Sequence, residues 1–362
     1  MLTNHCVATP LAVLCAAALT AQTPMHQVVP AAYDTADAIS FQWVAGASRD
    51  VRQQTMIAAT HLTAMVGRPI MAIELRRNAA NETYLGGTVN MTVRLSTTSQ
   101  DPLASSSMFA ANIGSNETLV WSGNVDLPTS PPQPGPVVAW SAANTLRIGF
   151  TTPFTYPGGT LCVDVTGWAL PGQHADWWMA DAMFEDLQGS AVDLGGGCGP
   201  YGGAQKEWSH VAKRTLVAGG NARFFAYGDP WTVGVAVFGD GMTTGLPMNW
   251  LGFPSPAGCD LHLSSFLLMA PVVFEPDPSP LLAHRGGLGD IRLPFANDGS
   301  FLGVTFTTQW FEIGQWQTSN AIQWTTAAAA PQLGMTLVEG HPNEPDGELS
   351  AHLAHVFRFE YL

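Results

Sequence analysis

Apolar residues in this chain recur at every second position over short stretches, and those stretches end in glycine or proline. In Thr88–Leu95, Val89, Met91, Val93 and Leu95 alternate with Thr88, Asn90, Thr92 and Arg94. Leu146, Ile148 and Phe150 alternate with Arg147 and Gly149, and Leu161, Val163 and Val165 with Cys162, Asp164 and Thr166. A two-residue period puts alternate side chains on opposite faces, so each segment reads as a strand with one buried face. The pattern returns in Trp231–Phe238 through Val233, Val235 and Val237, and in Gly303–Phe311 through Val304, Phe306, Thr308 and Trp310. It returns again in His355–Leu362 through Phe357, Phe359 and Tyr361. Asn297-Asp298-Gly299 reads as a hairpin turn joining Ile291–Phe295 to the strand at Gly303–Phe311. No helical period separates these strands, which excludes a βαβ build. The expected fold is all-β, with two antiparallel, jelly-roll-like β-sandwich domains in tandem.

The punctuation divides the chain. Prolines in Leu127–Pro136 (LPTSPPQPGP) cannot donate to a ladder and mark a surface loop. The glycine run in Asp193–Gly203 (DLGGGCGPYGG) marks a boundary between a sandwich at 37–194 and a second, disulfide-containing sandwich at 195–362. Residues 22–36 read as a flexible N-terminal segment. Residues 1–21 read as a signal peptide, apolar from Leu11 to Leu19 and then small up to a cleavage point near Ala21. No later apolar run reaches the roughly 18 residues of a membrane helix, so no membrane span is expected.

Charge narrows the partners. Only 12% of residues are charged, and 28 acidic against 14 basic residues leave a formal charge of −14. Phosphate affinity comes from clustered Lys and Arg, so no nucleic-acid partner is expected. Past the leader stand three cysteines, and an odd number in an oxidising compartment implies one bridge. Cys198 and Cys259 both sit in Gly/Pro-rich turns where backbones approach closely, which pairs them. Cys162 lies on a strand, on the face of Asp164. That face is the outer one, where the thiol is either free for an intermolecular bond or tucked under the 171–190 segment.

The most function-like cluster is Gly172–Met179 (GQHADWWM), where His174, Asp176, Trp177 and Trp178 form the candidate ligand-binding set. Exposed tryptophans stack on the C–H faces of sugars, and a neighbouring carboxylate accepts hydroxyl hydrogen bonds. The competing reading has one of the pair plugging the sandwich end. The loop His341–Glu348 (HPNEPDGE) carries the oxygen ligands Asn343, Glu344, Asp346 and Glu348, but not the spacing of a calcium loop, and reads as a solvated acidic turn. Glu74, Asp164 and Glu312 fall on strands where a glycosidase could draw its two carboxylates. His352 and His355 lack a third metal ligand. With no nucleophile elbow, zinc-helix motif or phosphate loop, no catalytic residue, cofactor or metal is expected. Phe357, Phe359 and Tyr361 would also suit the last strand of an outer-membrane barrel, but the chain's strands are short and its loops proline-rich.

Four segments together resemble a group of uncharacterised secreted proteins of planctomycete-type bacteria. They are PFTYPGGTLCVDV (Pro153–Val165), GGGCGPYGG, LGFPSPAGCDLHL (Leu251–Leu263) and IRLPFANDGSFLGVTFTTQW (Ile291–Trp310). The resemblance implies secretion, an N-terminal sandwich followed by a smaller one, and a Cys198–Cys259 bridge in the second. It supplies no catalytic residues, and Cys162 departs from the apolar residue of that group. The expectation is a secreted or cell-surface protein that binds extracellular glycans or cell-envelope proteins. The alternatives are a glycan-directed hydrolase on a β-sandwich and a purely structural surface component.

Overall fold

The computed structural model describes residues 23–170, 178–198, 209–211, 215–276 and 286–362; the predicted signal peptide lies outside them. The described residues form strands and short 3-10 turns, with no α-helix among them. Strands β1 to β9 are Met25–Val29, Ser40–Trp43, Val51–Ile57, Pro69–Arg76, Gly87–Thr98, Thr118–Leu127, Thr145–Thr155, Thr160–Trp168 and Met179–Phe184. Strands β10 to β17 are Ser190–Gly196, Ser209–Val211, Asn221–Gly228, Val233–Gly239, Gly241–Pro247, Asp260–Leu263, Leu268–Val273 and Glu275–Pro276. Strands β18 to β21 are Gly287–Pro294, Thr305–Glu312, Gln317–Thr318 and Asn320–Thr325. Strands β22 to β25 are Met335–Gly340, Glu348–Ser350, Leu353–His355 and Phe357–Tyr361.

Two sandwiches result, built from open antiparallel sheets. In the first, the sheet β1-β25-β4-β7 faces the sheet β23-β22-β3-β8-β5-β6. Ile73, Leu75, Ile148, Phe357 and Phe359 from one sheet meet Val89, Met91, Val93, Leu95, Leu161 and Val163 from the other in a single core. The alternations read in β5, β7, β8 and β25 thus supply this core. A smaller sheet, β2-β9-β24, adds Ala180 and Ala354 to it. In the second sandwich, β11-β12-β18-β17 packs against β10-β21-β19-β13-β16 around Phe224, Phe238, Trp310 and Trp324. The Phe224 ring meets Phe238 and Trp324 edge-on at 5.1 and 6.1 Å. Much of the aromatic content is therefore core.

The order of the units differs from a tandem. The second sandwich is inserted in the first, because the chain leaves the first after β9 and returns to it at β22. Ser190, which opens β10, pairs with Thr325, which closes β21, so entry and exit stand side by side. Residues 335–361, assigned by the sequence reading to the second domain, pair with β3, β4, β9 and β1 of the first. The segment read as flexible, 22–36, contains β1, which pairs with β25 and buries Val28 and Val29. The Asn297–Gly299 turn forms, but β18 and β19 lie in opposite sheets, so it is a crossover and no hairpin. In β13, Gly234, Ala236 and Phe238 face the aromatic core while Val233 is exposed. The valine alternation there marks the outer face, part of which the β14–β15 hairpin covers through Met248, Leu261 and Leu263.

Candidate functional site

Of the candidate set at 172–179, His174, Asp176 and Trp177 lie outside the described residues. Trp178 is fully buried, its indole Nε1 donates to the Pro128 carbonyl at 2.8 Å, and its ring lies 6.3 Å from that of Tyr84. It is a core anchor of the first sandwich. An indole with no exposed face has no surface on which a sugar can stack, so the platform reading of Trp178 is corrected.

The exposed tryptophans are elsewhere. Trp231 is 73% and Trp250 76% exposed, and both belong to the inserted sandwich. Trp231 closes the turn from β12 to β13, where its backbone N–H donates to Phe274 O at 2.7 Å. Trp316 sits on the turn from β19 to β20, whose Ile313 N–H donates to Val233 O at 3.0 Å. Val233 in turn pairs with Val273 across the β13–β16 ladder. Trp231, Val233, Val273, Ile313 and Trp316 thus stand at one end of the sheet that carries β16, β13 and β19. Phe253 lies against Trp316 with ring centroids 5.1 Å apart.

Backbone geometry singles out the same residues. Trp231 and Trp316, at φ of 68° and 54°, are the non-glycine residues with left-handed backbone among the described residues. That region crowds Cβ against the carbonyl and costs roughly 1–2 kcal/mol for an L-residue. The neighbouring hydrogen bonds hold the strain in place.

A disulfide holds the third aromatic loop. Cys198 and Cys259 are bonded, with Cα atoms 4.8 Å apart, as the turn placement implied. Cys259 O accepts from Met248 N at 2.9 Å, closing the base of the loop that carries Trp250 and Phe253. The Cys198 backbone N–H donates to Thr318 O at 3.1 Å, and Thr318 N donates to the Cys198 sulfur at 3.2 Å. Thr318 stands two residues beyond Trp316. The bridge therefore clamps the Phe253 loop to the Trp316 turn.

The rim is apolar and its strand edge is guarded. Leu267 and Met269 are 72% and 64% exposed at the free edge, beside β13. Phe274 N donates to Thr232 O, and hydrogen-bonded pairs alternate along an antiparallel ladder. By that alternation Pro271 turns its nitrogen to the free side, where it offers no donor. Recognition here falls to side chains, since the edge resists an added strand.

The other sequence candidates do not converge. Asp164 accepts two hydrogen bonds from Arg52 at 3.0 and 2.6 Å and one from Gln54 at 2.7 Å. Glu74, on the opposite sheet, is held by Arg358 and Arg147, while Glu312 belongs to the inserted sandwich. Glu74, Glu360 and His26 bring ligand atoms within 4.8 Å of one another, but guanidinium groups engage both carboxylates. Asp346 and Glu348 face Arg292 and Arg223 at 3.9 and 4.0 Å across the seam between the sandwiches, beside a polar cleft of about 440 Å³. His352 packs edge-on to Phe184 in the interior.

Cys162 is buried, and residues 109–114 lie over neighbouring side chains on its face of the sheet. Asn112 donates to Gln54, Gly114 N donates to Ser96 Oγ, and Phe109 lies under the Arg52 guanidinium. Burial pushes the thiol well above its ordinary pKa. Thiolate is the reactive form, so a maleimide is expected to leave Cys162 unmodified in the folded protein and to label it fully in denaturant. Labelling of the native protein would show that this cover opens.

No family model, curated protein or solved structure matches the chain. No helix among the described residues is long and apolar enough to cross a membrane.

Proposed function

We propose that the protein is an extracellular binding protein whose inserted sandwich holds carbohydrate chains on the face formed by Trp231, Phe253 and Trp316. The observation that carries this is the coincidence of exposure and strain at Trp231, with the half-buried, equally left-handed Trp316 flanking the same end of the sheet. Strained residues persist where the surrounding structure enforces them, and they cluster at ligand sites. Flat apolar rings stack on sugar C–H faces, and the exposed amides of Asn249 and Gln315 on the same loops can bond hydroxyl groups. The leader sequence, the disulfide and the resemblance to secreted bacterial proteins support an extracellular setting. The exposed run Phe266–Met269 favours a second reading, a cell-envelope protein as the partner.

The test is retention on soluble and insoluble polysaccharides. Loss of one stacking ring is worth roughly 1–1.5 kcal/mol, about tenfold in affinity. Trp231→Asn is expected to weaken binding by about tenfold or more while raising stability by roughly 0.5–1 kcal/mol, because Asn tolerates the left-handed region. Trp250→Ala is expected to weaken binding without that gain. No retention on any polysaccharide, or affinity indifferent to both changes, would exclude the carbohydrate reading.

A further inference from the structure

His355 stands at the end of β24 with its ring 2% exposed in the core of the first sandwich, 5.7 Å from that of Phe357. Its one hydrogen bond is to the backbone of Trp43, whose carbonyl O also accepts from Gln53 Nε2 at 3.0 Å. Nε2 has no partner although it is wholly shielded from solvent. Burial holds the imidazole neutral, with its pKa pushed down to about 4. The ring nitrogen facing Trp43 O must therefore be Nδ1 carrying the proton, and Nε2 presents a bare lone pair. An unfilled buried acceptor costs about 1–3 kcal/mol, so native interiors fill such positions.

The space beside it has the right size and lining. His355 borders a small pocket of about 10 Å³, together with Gln53, Thr55 and apolar groups that include Val44, Met91 and Val165. That is close to the 10–15 Å³ or so that one water molecule needs, and water stays in a cavity only where it finds two or more polar partners. A purely apolar cavity of this kind would stay dry. This one carries an imidazole lone pair, a threonine hydroxyl and a carboxamide.

We infer that the core of the first sandwich binds a single structural water molecule, which donates a hydrogen bond to His355 Nε2 and is shared with the Thr55 or Gln53 side chain. The water completes a polar line through the core. From Nε2 the line passes along the ring to Trp43 O, then to Gln53, and from Gln53 Nε2 to Glu339 at 2.7 Å. Glu339 meets Arg49 at 2.7 Å at the cleft between the sandwiches.

Two measurements on the wild-type protein test this: a high-resolution crystal structure and the nitrogen-15 spectrum of the histidines at neutral pH. The expected results are density for one water within hydrogen-bond distance of His355 Nε2, and a neutral Nδ1–H ring showing magnetisation transfer from a long-lived water. His355→Phe, which keeps an aromatic ring beside Phe357 and removes the lone pair, is expected to lose that water. An empty cavity, a Thr55 hydroxyl donating directly to Nε2, or a water retained in the His355→Phe variant would each overturn the inference. The wild-type measurements decide it even if the variant fails to fold.

Discussion

Replacing Arg76 with Met is expected to lower the stability of the first sandwich by about 3–5 kcal/mol, the range for removing one partner of a buried ion pair. Arg76 and Asp181 are both fully buried and directly bonded, and the guanidinium also donates to Ala36 O at 2.6 Å and Val138 O at 3.0 Å. It stacks on Trp140 at 4.9 Å, and the Arg358 guanidinium lies over the same ring at 4.5 Å. Without Arg76, Asp181 is left charged beside Asp37, whose own pKa burial and Asp181 already push up to about 6. Burial also raises Asp181, and Arg76 is the group that opposes the rise. A carboxyl whose folded pKa lies above its unfolded value destabilises the native state at high pH and stops doing so once protonated. The Met variant's deficit is therefore expected to be largest at neutral pH and to shrink as pH falls through the raised pKa. Urea titrations at several pH values measure this. A deficit below about 1 kcal/mol at neutral pH would mean that Asp181 finds another partner.

Removing the disulfide should be the other large effect, and it should be local. Cys198 and Cys259 are 61 residues apart, a loop whose closure contributes about 4 kcal/mol on the chain-entropy model. The Cys198→Ser/Cys259→Ser variant is expected to lose roughly that much from the inserted sandwich. It should also lose polysaccharide binding, because the Phe253 loop is no longer held to the Trp316 turn. The first sandwich has its own core and should unfold as before. Calorimetry reads both units: one transition should move down and the other stay. If both fall together, the sandwiches unfold as one cooperative body.

Much of the fold was legible because a two-residue period reports directly on a strand with one buried face. Thr88–Leu95 behaves so, whereas Thr160–Val165 is buried on both faces, and Cys198 and Cys259 met where their turns indicated. Period alone does not say which face is buried when both are covered. In β13 Gly234 leaves room for the Phe274 ring and Ala236 pairs with Trp310 across the ladder, while the valines face outward. Nor does local pattern reveal nesting, since the glycine run at Asp193–Gly203 marks an entry to the second unit and nothing as conspicuous marks the exit at Thr325. The site was harder still. Trp177-Trp178 was conspicuous as a pair, yet Trp178 proved to be a core residue. Trp231 and Trp316 are isolated in sequence, with no second aromatic beside them to mark a site. The signal for Trp231 was present in Gly228-Asp229-Pro230-Trp231, a tight turn ending in a residue too large for comfort there.

The nesting also fixes an order of events. In the sheet β1-β25-β4-β7 an inner position belongs to β25, and in the six-stranded sheet β22 stands between β3 and β23. Both strands come after the whole inserted sandwich in the chain. While a nascent chain emerges residue by residue, β1 has no neighbour to join, and Ile73, Leu75 and Ile148 lack Phe357 and Phe359. The unit begun first is thus finished second, and the inserted sandwich can be complete while its host still shows an open apolar seam. Losing only the stretch Phe357–Tyr361 would strand β1 and leave that seam open for good, a disproportionate penalty for so short a deletion.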